Sequence, residues 1–258
     1  MEKNESLKDY KKRIESALNN EFLRKALDNF ALAYRTGRDN AFKEMDLDAA
    51  IQTVAAIKAD AVKNSKELLE TFKAKAKESG IQVHYAETAD HANEIIAKIA
   101  KESGTKQIVK SKSMTAEEIH LNQWLEKEGL EVTETDLGEW IIQLRHEGPS
   151  HMVMPAIHLS RYQVADLFSD VTGKEQDSEI EKLVKVARKE LREKYFTADM
   201  GISGANYAVA ESGTIGIVTN EGNARLVTTL PKVHVALIGI DKLLPSIDQA
   251  LFINQVLP

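Results

Sequence analysis

The sequence contains no cysteine. That absence removes disulfides, thiolate nucleophiles, cysteine-ligated zinc and any iron–sulfur cluster held in the ordinary way by thiolates. Long apolar runs are missing too: none approaches the roughly 18–20 residues a membrane span needs, and the opening MEKNESLKDYKKR is too charged to hide a signal-peptide core. No membrane span and a cytoplasmic location are therefore expected. Nor is there an excess of positive charge; the net value of -6 gives no electrostatic ground for nucleic acid as a partner. The 5 prolines form no linker, and no repeat or low-complexity tract interrupts the chain.

What is present is an ordinary globular composition, 43% apolar and 29% charged over 258 residues, enough for one large domain or two small ones. From Ser6 to about Glu78 the pattern is helical, with a break expected at Gly37-Arg38-Asp39-Asn40 and a clear helix from Asp46 or Asp48 to Ser79-Gly80. This region, residues 1–80, reads as packing or subunit contact, because it holds no convergent polar cluster. Near Gly80 the rhythm changes, and residues 81–258 read as an α/β domain. Strands are expected at Ile81 to Tyr85, Gln107 to Lys110 and Glu131 to Glu134. Two helices link them, one capped by Thr88 and one by a Thr115/Glu118 capping box, the second running to about Glu128 with Gly129 as its left-handed stop. Such β-α-β-α-β order predicts a mainly parallel sheet flanked by helices, with ligands at the carboxyl ends of the strands.

Several stretches are candidates for those ends. Lys110-Ser111-Lys112-Ser113 follows a strand and precedes a helix, so it can receive an anion or be a plain solvated turn. Asp136 and Glu139 flank a Leu-Gly turn before an expected strand, Trp140 to Leu144; they can bind hydroxyl groups or a metal, or cap the turn, and capping leads. His151 and His158 lack any metal-binding spacing, and no metal site is expected. Ser160 and Gln163 form a further capping box, and a long amphipathic helix starts at Asp177 or Ser178 with Ile180, Leu183, Val184, Ala187 and Leu191 as its stripe. Gly201 to Leu226 is the densest candidate. Gly201, Gly204, Gly213, Gly216 and Gly222 allow sharp turns or close ligand approach around an expected strand, Thr214 to Thr219. Its G-x-x-G is neither the dinucleotide fingerprint nor the phosphate loop. Glu211, Ser212, Gly213 and Thr214 offer a carboxylate beside accessible backbone, fit equally for a catalytic glutamate or a strand-end hydrogen bond. Asn220, Asn223 and Arg225 follow as ligand-binding candidates. A strand at Val233 to Gly239 and a helix-like Lys242 to Phe252 close the chain.

The runs VKSKSM (Val109 to Met114), EEIHLN (Glu117 to Asn122), ETDLGEWIIQL (Glu134 to Leu144), PSHMVMPAIH (Pro149 to His158) and AESGTIGIVTNEGNARL (Ala210 to Leu226) together resemble the lactate-utilisation B family, built on the LUD domain. The resemblance covers nearly the whole chain. It implies a fold similar to the sugar-isomerase and CoA-transferase-like α/β group. It also implies a cytoplasmic iron–sulfur subunit that works with two other subunits of an L-lactate oxidation complex, lactate becoming pyruvate. Full-length members continue into a ferredoxin-like region with two [4Fe-4S] clusters; this chain has no cysteine to hold them, so a truncated form with no cofactor of its own is expected. The LUD region would then serve as scaffold or as a module for a small anionic ligand. In CoA transferases a glutamate followed by glycine is the nucleophile, and Glu211 is loosely similar, so the alternative implied is a stand-alone CoA-transferase-like or isomerase-like enzyme.

Overall fold

The computed structural model describes residues 6–257. Four helices come first: α1 (Leu7–Leu18), α2 (Glu21–Ala41), α3 (Leu47–Lys63) and α4 (Ser65–Glu78). Ser6, Asn20 and Asp46 cap the first three, each accepting a backbone N–H three residues on. The break expected at Gly37 is absent: α2 runs through it, since one glycine costs a helix only about 1 kcal/mol, and the chain turns at Phe42 instead. No helix among the described residues is long and apolar enough to cross a membrane.

The segment expected as a strand at Ile81 to Tyr85 is irregular and joins no sheet among the described residues. Its alternation has a different cause: Val83 packs inward while Ile81 and Tyr85 stay exposed, with no neighbouring strand to complete a ladder. Then come α5 (Ala89–Glu102), capped by Thr88, and β1 (Gln107–Lys110). The next helix is two. Ser113, not Thr115, caps α6 (Met114–Glu118) by accepting from the Ala116 N–H. The backbone then turns left-handed at His120 (φ 53°) before α7 (Leu121–Lys127). Gly129 is the expected left-handed stop, and β2 (Glu131–Glu134) follows.

Trp140 to Leu144, expected as a strand, lies in α8 (Leu137–Arg145). A short apolar run cannot tell strand from buried helix; Asp136 decides it by capping the Gly138 and Glu139 amides. His151 to Met154 is irregular. After it, α9 (Arg161–Thr172) carries the expected Ser160/Gln163 capping box. In α10 (Ile180–Thr197) Leu183, Ala187 and Leu191 are buried with Tyr195, whereas Ile180 and Val184 are exposed.

β3 (Met200–Ser203), β4 (Tyr207–Val209) and β5 (Thr214–Gly216) come next, the last ending three residues before the expected Thr219. They are followed by α11 (Asn223–Thr229) and β6 (Val233–Ala236), which is shorter than expected. The expected helix at Lys242 to Phe252 is instead a 3₁₀ turn (Ile240–Lys242), a two-residue β7 (Leu243–Leu244) and α12 (Ile247–Gln255). Pro245 and the N-cap Ser246 start that helix late.

The strands form an α/β architecture of two sheets. The main one has the order β2-β1-β3-β6, all parallel, and the smaller one the order β5-β4-β7. β3 and β6 each pass on into the small sheet as β4 and β7, which are again parallel neighbours. One face of the main sheet is covered by α5, α6 and α7, through Ile96, Leu121 and Leu125 against Ile108, Val132 and Met200. The other is covered by α8, α9, α10 and α11, around Trp140, Phe168, Leu191 and Val227. α4 packs Phe72 and Ala76 on the small sheet.

Candidate functional site

In a parallel sheet the crossovers from two adjacent strands can leave in opposite directions, opening a crevice at their carboxyl ends. Here that point lies between β1 and β3: β1 leads to β2 on one side, β3 to β6 on the other. Around it gather Lys110 to Ser113 after β1, Thr135 to Glu139 after β2, and Ser203 and Gly204 at the end of β3. Ser111 continues the ladder by donating its N–H to the Ile202 carbonyl, and Thr135 does so toward the Lys110 carbonyl. Thr135, Ser111 and Ser203 thus stand side by side across three strands, all at most 2% exposed. Ser111 Oγ is buried without a hydrogen-bond partner.

Lys110 lies beneath this row rather than in it. Its side chain is 0% exposed, with Nζ 2.8 Å from Glu134 Oε1 and 3.1 Å from Glu117 Oε1. Burial alone would push its pKa down, but the two carboxylates together outweigh burial and hold it above the ordinary lysine range. Burial pushes the Glu134 carboxyl up, against the pull of Lys110 and of Asn122, which donates Nδ2–H to Glu134 Oε1 at 2.6 Å. Lys112 is the cation nearer solvent, with Nζ 3.2 Å from Glu139 and 3.1 Å from the Val153 carbonyl. Burial raises the Glu139 pKa, partly offset by Lys112.

Asp136 closes one side as the cap of α8, and Glu221 reaches the same place from the loop before α11. Partial burial and the Asp136 charge push the Glu221 carboxyl up, against the Leu137 amide and Lys112. Asn223 Nδ2 is 3.4 Å from Thr135 Oγ1. On the far side Ser203 Oγ lies 2.8 Å from His234 Nε2, and burial pushes that imidazole below its ordinary value, so it is neutral near pH 7. Thr135, Ser203 and His234 escaped the sequence reading; a hydroxyl directly at or after a strand was the available signal.

The glycines act mainly through close packing. A Cβ on Gly201 would lie 1.9 Å from the Val227 carbonyl oxygen, so α11 can rest on β3 only because the position is bare. A Cβ on Gly204 would meet Ser113 Oγ at 3.1 Å, which sets the β1 and β3 ends against each other. Glu211, Ser212, Gly213 and Thr214 lie elsewhere, in the β4–β5 hairpin turn of the small sheet. Glu211 Oε1 accepts from the Ile247 N–H at 2.7 Å and so holds the start of α12. Gly213 (φ +67°) presses on the α4 backbone, where a Cβ would lie 2.3 Å from Ala76 N. Gly216 faces the Tyr207 ring across the hairpin. Asn220 and Arg225 are exposed, Asn220 in the loop before α11 and Arg225 on that helix.

The family profile of the LUD domain matches residues 69–258, beginning inside α4. The chain belongs to the LUD domain family. Lactate utilization protein B of Oceanobacillus iheyensis is 41% identical to it over 238 residues, 92% of this chain and 50% of that protein. The protein of the same name from Bacillus subtilis is 39% identical over 242 residues, 93% of this chain and 50% of its own. The one from Macrococcus caseolyticus is 46% identical over 171 residues, 66% and 36% of the two chains. The chain therefore spans about half the length of the curated relatives it matches, 50% in the first of them. No solved structure matches it. The side chains of this LUD domain do not fit a thiolate-bound iron–sulfur cluster, for there is no cysteine. No group of three or more histidine or acidic side chains able to hold a metal ion occurs among the described residues. His151 Nδ1 accepts from the Val153 and Met154 amides, and His158 lies between Ser150 and Glu147.

Proposed function

We propose that this chain is the LUD module of a lactate-utilisation protein, acting as a scaffold whose strand-end crevice takes a small carboxylate, with the redox centres of lactate oxidation carried on other polypeptide. The single observation that carries the reading is the match to proteins named for lactate utilisation across 92% of the chain. The chemistry of the crevice supports the ligand. Lys112 supplies positive charge at its mouth, the unpartnered Ser111 hydroxyl and the Asn223 amide supply donors, and the neutral His234 with Ser203 supplies a wall without charge. In this reading the chain works beside two other subunits of the complex, and the iron–sulfur clusters belong to the cysteine-bearing part of longer relatives. A stand-alone transferase using Glu211 has no comparable support, since that carboxylate is engaged with α12, away from the crevice.

A thermal-shift series over L-lactate, pyruvate and a CoA ester tests this, because a ligand that binds only the folded state raises its stability. A rise with lactate or pyruvate that is lost in Lys112→Ala is the expected result. A rise with the CoA ester alone, lost in Glu211→Gln, overturns it in favour of the transferase.

A further inference from the structure

Away from the crevice, residues of α7, β2, α8, α9 and α10 surround a cleft of about 530 Å³, a size that suits a small molecule. Trp140, Leu144, Val171 and Leu191 give it an apolar lining. It is not an unfinished sheet edge. The Gln143 side chain of α8 stands in for a neighbouring strand beside β2: its Oε1 accepts from the Glu134 N–H at 2.9 Å and its Nε2 donates to the Val132 carbonyl at 2.7 Å. Val132 packs toward α5–α7, so strand alternation turns Thr133 the other way, into the cleft. Thr133 is 8% exposed, and its hydroxyl has no hydrogen-bond partner among the described residues. A buried hydroxyl left that way is a cost to the fold that a bound donor removes. The charges around it are unbalanced. Lys194 gives its ammonium to Glu131 Oε1, and the other Glu131 oxygen takes Gln107 Nε2–H at 3.1 Å. Glu126 and Glu190 line the same cleft, and neither has an ion-pair partner among the described residues. The remaining titratable group, His146, stands at the C-terminal end of α8.

We infer that this cleft binds a small organic cation, an ammonium group carried on an apolar body. The Glu190 and Glu126 carboxylates and the Thr133 hydroxyl are acceptors for its N–H groups, and a charge-assisted hydrogen bond is the stronger kind. The apolar body replaces water against Trp140 and Leu191, both 6% exposed and so already part of the core wall. An anion has no such place, because the lysine at the rim is neutralised by Glu131 while two carboxylates face it uncompensated. A divalent metal is served no better: no group of three or more histidine or acidic side chains able to hold one occurs among the described residues. The inference stands apart from the strand-end crevice and from lactate.

Three probes that share a phenyl body and differ in charge test it: phenethylamine, 2-phenylethanol and 3-phenylpropionate. The chain has two tryptophans, so Trp124→Phe leaves Trp140, in the wall of the cleft, as the sole fluorescent reporter. A saturable change in its emission with phenethylamine, and none with the alcohol or the acid, is the expected result. In the same background Glu190→Gln is expected to weaken that binding about tenfold. Thr133→Val keeps the side-chain shape and removes the unpaired hydroxyl, so it is expected to weaken binding without lowering the melting midpoint. No saturable change with phenethylamine into the millimolar range overturns the inference, and so does equal binding of the alcohol or the acid. Should Thr133→Val fail to fold, a Glu190→Gln variant that binds phenethylamine as well as its parent overturns it instead.

Discussion

Lys110 exposes none of its side chain, yet it is the residue on which the strand-end loops rest. Its ammonium ties β1 to Glu134 on β2 and to Glu117 on α6, so the Ser111 to Ser113 loop leaves the sheet from a fixed point. Removing one member of a buried pair leaves the other charge unpaired, at a cost of about 3–5 kcal/mol, whereas removing both is often close to neutral. Lys110→Met is therefore expected to lower the denaturation midpoint sharply, and Lys110→Met with Glu134→Leu to recover most of the loss. Asp199 gives a sign-definite pH effect. The Gln107 and Lys106 amides hold its carboxyl below the ordinary aspartate range, and they tie the start of β1 to that of β3. A depressed carboxylate stabilises the fold fully above its unfolded pKa, and this contribution is lost as pH falls through the folded value. Between about pH 7 and pH 3 the urea midpoint of Asp199→Asn is expected to fall less than that of wild type. The sequence named Lys110 as a ligand candidate because a lysine after a strand looks available. Its burial depends on Glu134 and Glu117 coming together, which only the paired strands bring about.

At the scale of elements, the glycine-rich stretch separates into two jobs. Gly201 and Gly204 set β3 against α11 and the β1 loop, while Gly213 and Gly216 build a hairpin that leans on α4. A Cβ at Gly201 meets a helix carbonyl that cannot move without its helix, whereas one at Gly216 meets a tyrosine ring that can swing aside. Gly201→Ala is thus expected to cost several kcal/mol, roughly 2 or more, and Gly216→Ala distinctly less, both read from chemical denaturation. The Gln143 contact with the β2 edge makes a separate prediction. Gln143→Ala leaves a buried-edge donor and acceptor unmatched, at about 1–3 kcal/mol, and amide exchange at Glu134 is expected to accelerate. Element types were legible where caps were local, as at Thr88, Ser160 and Gly129. They were not legible at Trp140 to Leu144, where a short apolar run suits strand and helix alike until the Asp136 cap is placed, nor at Ile81 to Tyr85, where alternation had no partner strand.

For the molecule as a whole, the parallel α/β character and the strand-end position of the crevice could be read from β1, β2 and the helices between them. The order β2-β1-β3-β6 could not, because β3 joins β1 across an intervening stretch of about 90 residues; their first residues are Gln107 and Met200. That joining separates Glu211, bonded to the start of α12, from Lys112 at the strand-end crevice. We propose that this LUD module serves lactate utilisation. Replacing the matching half of Bacillus subtilis lactate utilization protein B with this chain, and measuring growth of that strain on L-lactate, tests it most directly. Growth restored by the chimera, and reduced when the graft carries Lys112→Ala, is the predicted result. A chimera that accumulates to the level of the natural protein yet supports no growth on L-lactate would contradict it.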